Sequence, residues 1–273
     1  MLAKTLPARD TGGFLSRTPL SAASASKLTR PPVAPRAPQL LHLPTWSRLS
    51  IATRQHGPLG HGGDFFEIIQ HRDGYVSVVV ADVCGNGPRA EIPVSRLRWL
   101  LRQDLARGAS PGAVLAMLND AIVVGNAPEL FVTAVCVRVD PLSGHAVTSS
   151  AGHLGPFVKR ARGEADELTT SGGVALGIAP SQTYDETQVD LDSEDAIVMV
   201  TDGITDPLGT ASSPLGQAGL LAELAQAGPS AESICSALLH ATASPVEHDA
   251  TVVVLQLPRR HRRVTPVRRN AGP

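Results

Sequence analysis

The chain has 273 residues, 42% of them apolar, a formal net charge of −1 and three cysteines. That is enough apolar chain for a substantial core, yet no stretch approaches the roughly 20 uninterrupted apolar residues of a membrane-spanning helix, so no membrane role is expected. Cys84, Cys136 and Cys235 are odd in number and widely spaced, which argues against a disulfide framework and for a reducing, cytoplasmic setting.

The near-neutral total hides a division along the chain. Residues 1–56 carry +7 and residues 258–273 carry +6, which leaves −14 on residues 57–257. An acidic segment of that size repels itself when compact, and bound cations relieve the repulsion. Residues 1–45 are rich in Pro, Ala, Ser and Arg without an apolar period, so they are expected to be disordered, as is the Arg-rich tail 258–273. A single folded domain is expected over residues 46–257.

Within it, Phe65–Gln70 and Tyr75–Val83 read as a hairpin across Asp73-Gly74. Two helices follow, Pro88–Ala106 and Pro111–Val124, the second with Ser110 as N-cap and Pro111 as its first residue. Phe131–Asp140, His145–Ala151 and Phe157–Arg160 form a meander. Ala196–Thr201 and Thr251–Leu257 read as buried strands, with helices at Ala218–Gln226 and Ala231–Thr242 between them. Strands in hairpins with helices inserted in pairs predict an α+β fold in which helices cover two packed sheets.

The chemistry lies in where the aspartates fall. Asp64 opens a strand after Gly62-Gly63, Asp82 closes one before Gly85-Asn86-Gly87, Asp202 follows a strand and precedes Gly203, and Asp249 precedes the last strand. Any one Asp-Gly pair is a turn signal. Four carboxylates at strand ends, in an acidic domain with no competing catalytic set, point to hard divalent cations.

Two rival chemistries fail on residue type. Gly108-Ala109-Ser110-Pro111-Gly112 matches the G-x-S-x-G pattern of serine hydrolases, but Pro111 has no N–H to offer an oxyanion. A cysteine phosphatase needs an Arg six positions after its Cys, and Cys84 has Ala90 there. The basic ends lack interleaved aromatics, so nucleic-acid binding is not expected.

The ordered series Gly62-Gly63-Asp64-Phe65-Phe66, Ala81-Asp82-Val83-Cys84-Gly85-Asn86-Gly87, Phe131-Val132-Thr133-Ala134, Ala151-Gly152-His153, Ala175-Leu176-Gly177, Thr201-Asp202-Gly203-Ile204 and Asp249-Ala250-Thr251 spans about 200 residues. It resembles the SpoIIE-like branch of the metal-dependent (PPM-type) protein serine/threonine phosphatases. The resemblance implies a four-layer α/β/β/α sandwich of two mainly antiparallel sheets flanked by helices. It also implies two Mn²⁺ or Mg²⁺ ions between the sheets and a bridging water that attacks phosphoserine or phosphothreonine. Carried over by position, it makes Asp64 and Asp82 the central ligands, the backbone carbonyl of Val83 a further ligand, and Asp202 the ligand to the second ion. Its expected partner is a phosphorylated bacterial regulatory protein, such as an anti-sigma factor antagonist. His153 is expected to serve packing and hydrogen bonding.

One departure bears on the metals. Where the family has two acids before the last Ala-Thr, the first of them a ligand, this chain reads Glu247-His248-Asp249-Ala250-Thr251. Three outcomes are open: His248 ligates, Asp249 takes the role, or the second ion is weakly held. The last would leave a weak or inactive phosphatase-like module that binds a phosphoprotein. Ala81, Cys84 and Asn86 stand where Gly, Ser and Lys are usual, and the Gly-x-Gly turn is intact.

Overall fold

The computed structural model describes residues 39–40, 49–56, 63–84, 88–125, 131–168, 173–205, 216–241 and 249–259. All lie within one compact unit, Val33–Pro273.

The strands are β1 (Gln39–Leu40), β2 (Ser50–His56), β3 (Asp64–Gln70), β4 (Val76–Val83), β5 (Val132–Val139), β6 (His145–Ala151), β7 (Phe157–Lys159), β8 (Ala165–Glu167), β9 (Thr187–Asp190), β10 (Ala196–Val200) and β11 (Ala250–Gln256). The helices are α1 (Pro88–Ala106), α2 (Pro111–Val124), α3 (Asp202–Thr205), α4 (Gly216–Gln226) and α5 (Ala231–Ala241). One sheet runs β1-β2-β11-β10-β7-β8 and the other β3-β4-β5-β6-β9. Every pairing of neighbouring strands is antiparallel.

The central strands are apolar on both faces because both faces are covered. In β4, Val76, Val78 and Val80 face the opposite sheet while Val79, Ala81 and Val83 face α1 and α2. In β10, Ile197 and Met199 point inward and Ala196, Val198 and Val200 lie against α4 and α5. Three apolar layers between four structural layers result, the α/β/β/α sandwich expected from the resemblance.

Several elements carried no readable signal. β2, the three-residue β8, the edge strand β9 and the single turn α3 were not anticipated. β9, Thr187-Gln188-Val189-Asp190, offers one aliphatic residue and pairs only with β6. β1 falls inside the stretch 1–45 expected to be disordered, and at Gln39–Leu40 that expectation is corrected: these residues pair with β2, which satisfies part of an otherwise open sheet edge. The rest of 1–45 lies outside the described residues, as do residues 260–273 of the tail.

Ser110 occupies the N-cap position of α2, but its side chain makes no capping bond. Glu186 has taken the role from across the fold: its Oε1 accepts the Gly112 N–H at 2.8 Å. A carboxylate there also suits the positive end of the helix dipole.

One buried charge sits in the α1 layer. Glu67 of β3, 5% exposed, accepts from Arg98 Nε at 2.5 Å, Arg102 Nε at 2.8 Å and Arg102 Nη2 at 3.2 Å. Arg98 and Arg102 are one helical turn apart on α1, so both reach one carboxylate and pin the helix across the strand that begins with Asp64. The two losses are unequal. Replacing both arginines with Ala strands a buried carboxylate and is expected to cost about 2–3 kcal/mol in urea unfolding at pH 7, less than a sealed pair because the arginines reach solvent. Glu67→Leu frees two arginines to hydrate and is expected to cost under about 1.5 kcal/mol. Equal losses would show that burial of Glu67 contributes nothing.

Candidate metal centre

Strand alternation builds the site. Phe66 and Ile68 of β3 and Val78 and Val80 of β4 pack in the layer between the sheets. Two residues further on, the same parity puts Asp64 and Asp82 on that inner face, directly paired across the ladder. In the facing sheet, Ile197 and Met199 lead to Thr201, and Leu255 and Val253 lead back to Thr251. At this end of the sandwich the apolar layer is thus replaced by two carboxylates facing two hydroxyls.

The hydroxyls converge on one atom. Thr201 Oγ1 donates to Asp64 Oδ2 at 2.5 Å and Thr251 Oγ1 donates to the same oxygen at 2.8 Å. Thr251 N–H donates to Thr201 Oγ1 at 2.9 Å, which fixes the direction of the first bond. Gln55 Nε2 of β2 donates to the Asp64 backbone carbonyl at 3.0 Å. Asp64 is therefore held at its carboxylate and at its backbone carbonyl, directly across the ladder from Asp82.

Close backbone approach depends on two glycines. Val83 N–H donates to the Gly63 carbonyl at 3.1 Å, and a methyl group on Gly63 would collide with the Val83 carbonyl oxygen and with the Asp82 carboxylate. A methyl group on Gly203 would strike the Asp249 carbonyl. The turn after β10 and the start of β11 are thereby packed backbone to backbone, which brings the exposed Asp202 and the partly buried Asp249 to the same end of the fold.

Electrostatics reflects this crowding. Burial, followed by the charges of Asp82 and Asp249, pushes Asp64 up to about 7, although its two threonine bonds oppose the shift. Burial and the charges of Asp202 and Asp249 push Asp82 up to about 6. Beside them opens a cleft of about 440 Å³, whose lining among the described residues includes Asp82, Asp202, Thr133, Cys84 and Phe131 and no Lys or Arg. His153 also lines it; the ring donates Nδ1–H to the Leu154 carbonyl at 2.9 Å, and burial lowers its pKa against the pull of Asp202.

Asp64, Asp82, Val83, Asp202 and Asp249 therefore meet at one end of the sandwich. His248 and Gly85-Asn86-Gly87 lie outside the described residues. Among the described residues no three His, Cys, Asp or Glu side chains close into a metal cage. The arrangement is an open one, which suits small hard cations that keep several waters and take only one or two carboxylates each. Crowded oxygen donors fit Mg²⁺ or Mn²⁺ in kind. Sequence reasoning gave no role to Thr201, Thr251, Thr133 or Gln55. The usable signal was parity for three of them: Thr133, Thr201 and Thr251 are polar residues at the inward position in, or just after, strands that are otherwise apolar inward.

The family profile of stage II sporulation protein E (SpoIIE) matches residues 72–258, which include Asp82, Asp202 and Asp249. Phosphoserine phosphatase RsbU of Bacillus subtilis (strain 168) is 27% identical over 146 residues, 53% of this chain and 43% of that protein, so the chain spans less than half the length of this relative. The PP2C phosphatase domain of SpoIIE from Bacillus subtilis, solved with a fragment of its regulatory domain, superposes with a TM-score of 0.65 at 18% identity, covering 77% of this chain and 63% of that one. RsbX, solved in complex with magnesium, superposes with a TM-score of 0.62 at 18% identity, covering 81% of this chain and all of that one. At these identities the solved structures speak for a common fold. The profile match takes in well over half of the sequence, in the region that builds the cleft, and the chain belongs to the SpoIIE family.

Proposed function

We propose that the chain is a metal-dependent protein serine/threonine phosphatase that acts on a phosphorylated bacterial regulatory protein. The observation that carries this reading is the pair Asp64 and Asp82, face to face and both raised in pKa, beside Asp202 and Asp249 at one end of the sandwich. The carboxylates of Asp64, Asp82 and Asp202 and the carbonyl of Val83 would hold two Mn²⁺ or Mg²⁺ ions, with Asp249 or His248 completing the set. When bound, the cations supply a water of lowered pKa and neutralise phosphoryl charge.

The chain's own residues supply position. Thr201 and Thr251 both bond Asp64 Oδ2, which restrains rotation of the carboxylate. Gly63 admits the Val83 carbonyl beside Asp82. No protein nucleophile is required; Cys84, though exposed in the cleft lining, lacks the arginine that thiol chemistry on phosphate needs.

The name of the curated relative, a phosphoserine phosphatase, supports a phosphoserine substrate, and an anti-sigma factor antagonist is the class of partner proposed. The proposed layout is a phosphatase domain over residues 46–257 between two basic segments, acting in the cytoplasm. No helix among the described residues is long and apolar enough to cross a membrane.

Hydrolysis of p-nitrophenyl phosphate should require Mn²⁺ or Mg²⁺, and Asp82→Asn is expected to lower kcat/KM about 100-fold or more. Thr201→Val should weaken metal affinity by about 10- to 100-fold, as loss of a group that orients a ligand does. A folded protein inert with every divalent cation, yet able to bind a phosphoprotein, would favour the inactive module instead.

pH provides a separate test. Asp64 and Asp82 both hold protons more tightly when folded than when unfolded, so without cations the fold loses stability as pH rises from about 4 through about 7. Cations reverse that loss by replacing the protons. Mn²⁺ should therefore raise Tm at pH 7.5 and do so much less at pH 5. An equal rise at both values would count against Asp64 and Asp82 as the ligands.

A further inference from the structure

Two residues past the end of β6 the chain sets a histidine into the cleft. His153 lines it together with Asp82, Asp202 and Thr133, the residue paired with Asp82 across β4 and β5. Its backbone is clamped from within the strand. Ser150, 2% exposed, donates Oγ–H to the His153 carbonyl at 2.9 Å and accepts the His153 N–H at 3.2 Å. Gly152 makes the turn at a φ of +67°, bridges to Ala134 of β5, and has the backbone of Ala175 where a side chain would stand.

The ring is fixed as well. A carbonyl oxygen only accepts, so the 2.9 Å contact between Nδ1 and the Leu154 carbonyl puts the ring proton on Nδ1 and leaves a lone pair on Nε2. No described residue bonds Nε2. Burial keeps the ring neutral, and Asp202 lies near enough for its charge to oppose that shift. A histidine at a strand end is ordinarily explained by a bond such as the one to Leu154, yet that bond accounts for one nitrogen only. The other is a neutral acceptor of set direction, in a cleft it shares with two of the carboxylates assigned to the cations. Small hard cations keep several of their waters, and a water on a cation is a strengthened donor that seeks an acceptor.

We infer that His153 is a positioning residue of the metal centre, whose Nε2 accepts a hydrogen bond from a water carried by the cation at Asp202. The inference rests on the phosphatase reading above and adds to it the group that orients this water. Carboxylates accept over a broad range of directions; one lone pair on a ring held through Nδ1, on a backbone held by Ser150, sets a single one.

Two amides separate the two nitrogens. Asn carries its amide where Nδ1 stands, so His153→Asn keeps the bond to Leu154 and offers nothing at Nε2. Gln carries its amide where Nε2 stands, so His153→Gln keeps an acceptor there and gives up Leu154. With the full chain, His153→Asn is expected to weaken Mn²⁺ binding in calorimetry about tenfold and to lower kcat on p-nitrophenyl phosphate about tenfold, while His153→Gln stays within about threefold of the wild type in both. Tm of the metal-free proteins should run the other way, unchanged in His153→Asn and lowered in His153→Gln, an opposition that a folding defect cannot produce. The reverse order in metal binding, or equal behaviour of the two variants, makes the bond to Leu154 the whole role of the ring and overturns the inference. So does a directly bonded nitrogen in the electron spin echo of bound Mn²⁺ that disappears in His153→Gln, because the ring is then a ligand. If the wild type binds Mn²⁺ but hydrolyses no p-nitrophenyl phosphate, it is the phosphatase reading that has failed, and the calorimetric order of the two variants decides His153 alone.

Discussion

One carboxylate oxygen joins the two sheets at the end where the chemistry is placed. Asp64 Oδ2, from the sheet of β3 to β6 and β9, accepts from Thr201 and Thr251 at the ends of β10 and β11 in the other. Elsewhere the sheets are held by interlocking aliphatic side chains, which resist separation but do not specify direction. Hydrogen bonds to a charged acceptor do specify it, and they are shorter and stronger than neutral ones. The same bonds that close the sandwich at this end orient the first of the site's acids.

The rest of the site follows from register. Asp82 opposes Asp64 because β3 and β4 pair at that offset, and a slip of one residue would turn Asp82 toward the helical layer and Ala81 toward the facing sheet. The pairing is protected on both sides. Val76, Val78 and Val80 commit one face of β4 to the inter-sheet layer, while Glu67 ties β3 to two arginines of α1. Gly63 is then required, since the Val83 carbonyl and the Asp82 carboxylate occupy the space a side chain would need.

α1 and α2 support the site without contributing an acid to it. α1 anchors β3 through Glu67, and α2 holds residues 177–181 through Asn119 and Asp120. In return α2 has its first turn capped by Glu186, just ahead of β9 at the far edge of the same sheet. α1 and α2 are thereby tied to both edges of the sheet they cover.

Much of this was legible in the amino-acid sequence. α1 and α2 fall at their predicted bounds, and the long buried strands lie within a residue or two of theirs, because both depend on local patterns of apolar residues. The acids Asp64, Asp82, Asp202 and Asp249 were legible as strand-end residues beside glycines or at the start of a strand, a local signal too. What remained hidden was whatever depends on a partner far along the chain. β8 and β9 are strands because neighbours offer them an edge, not because their residues favour it. Ser110 was the natural cap of α2 until Glu186, 74 positions away from the N–H it accepts, reached that amide first. Thr201 and Thr251 read as ordinary strand residues until the two sheets met. Periodicity and residue type determine the elements and which groups stand at their ends; only packing decides which of those groups face one another, since a bond between residues 64 and 251 has no trace in either one's neighbours.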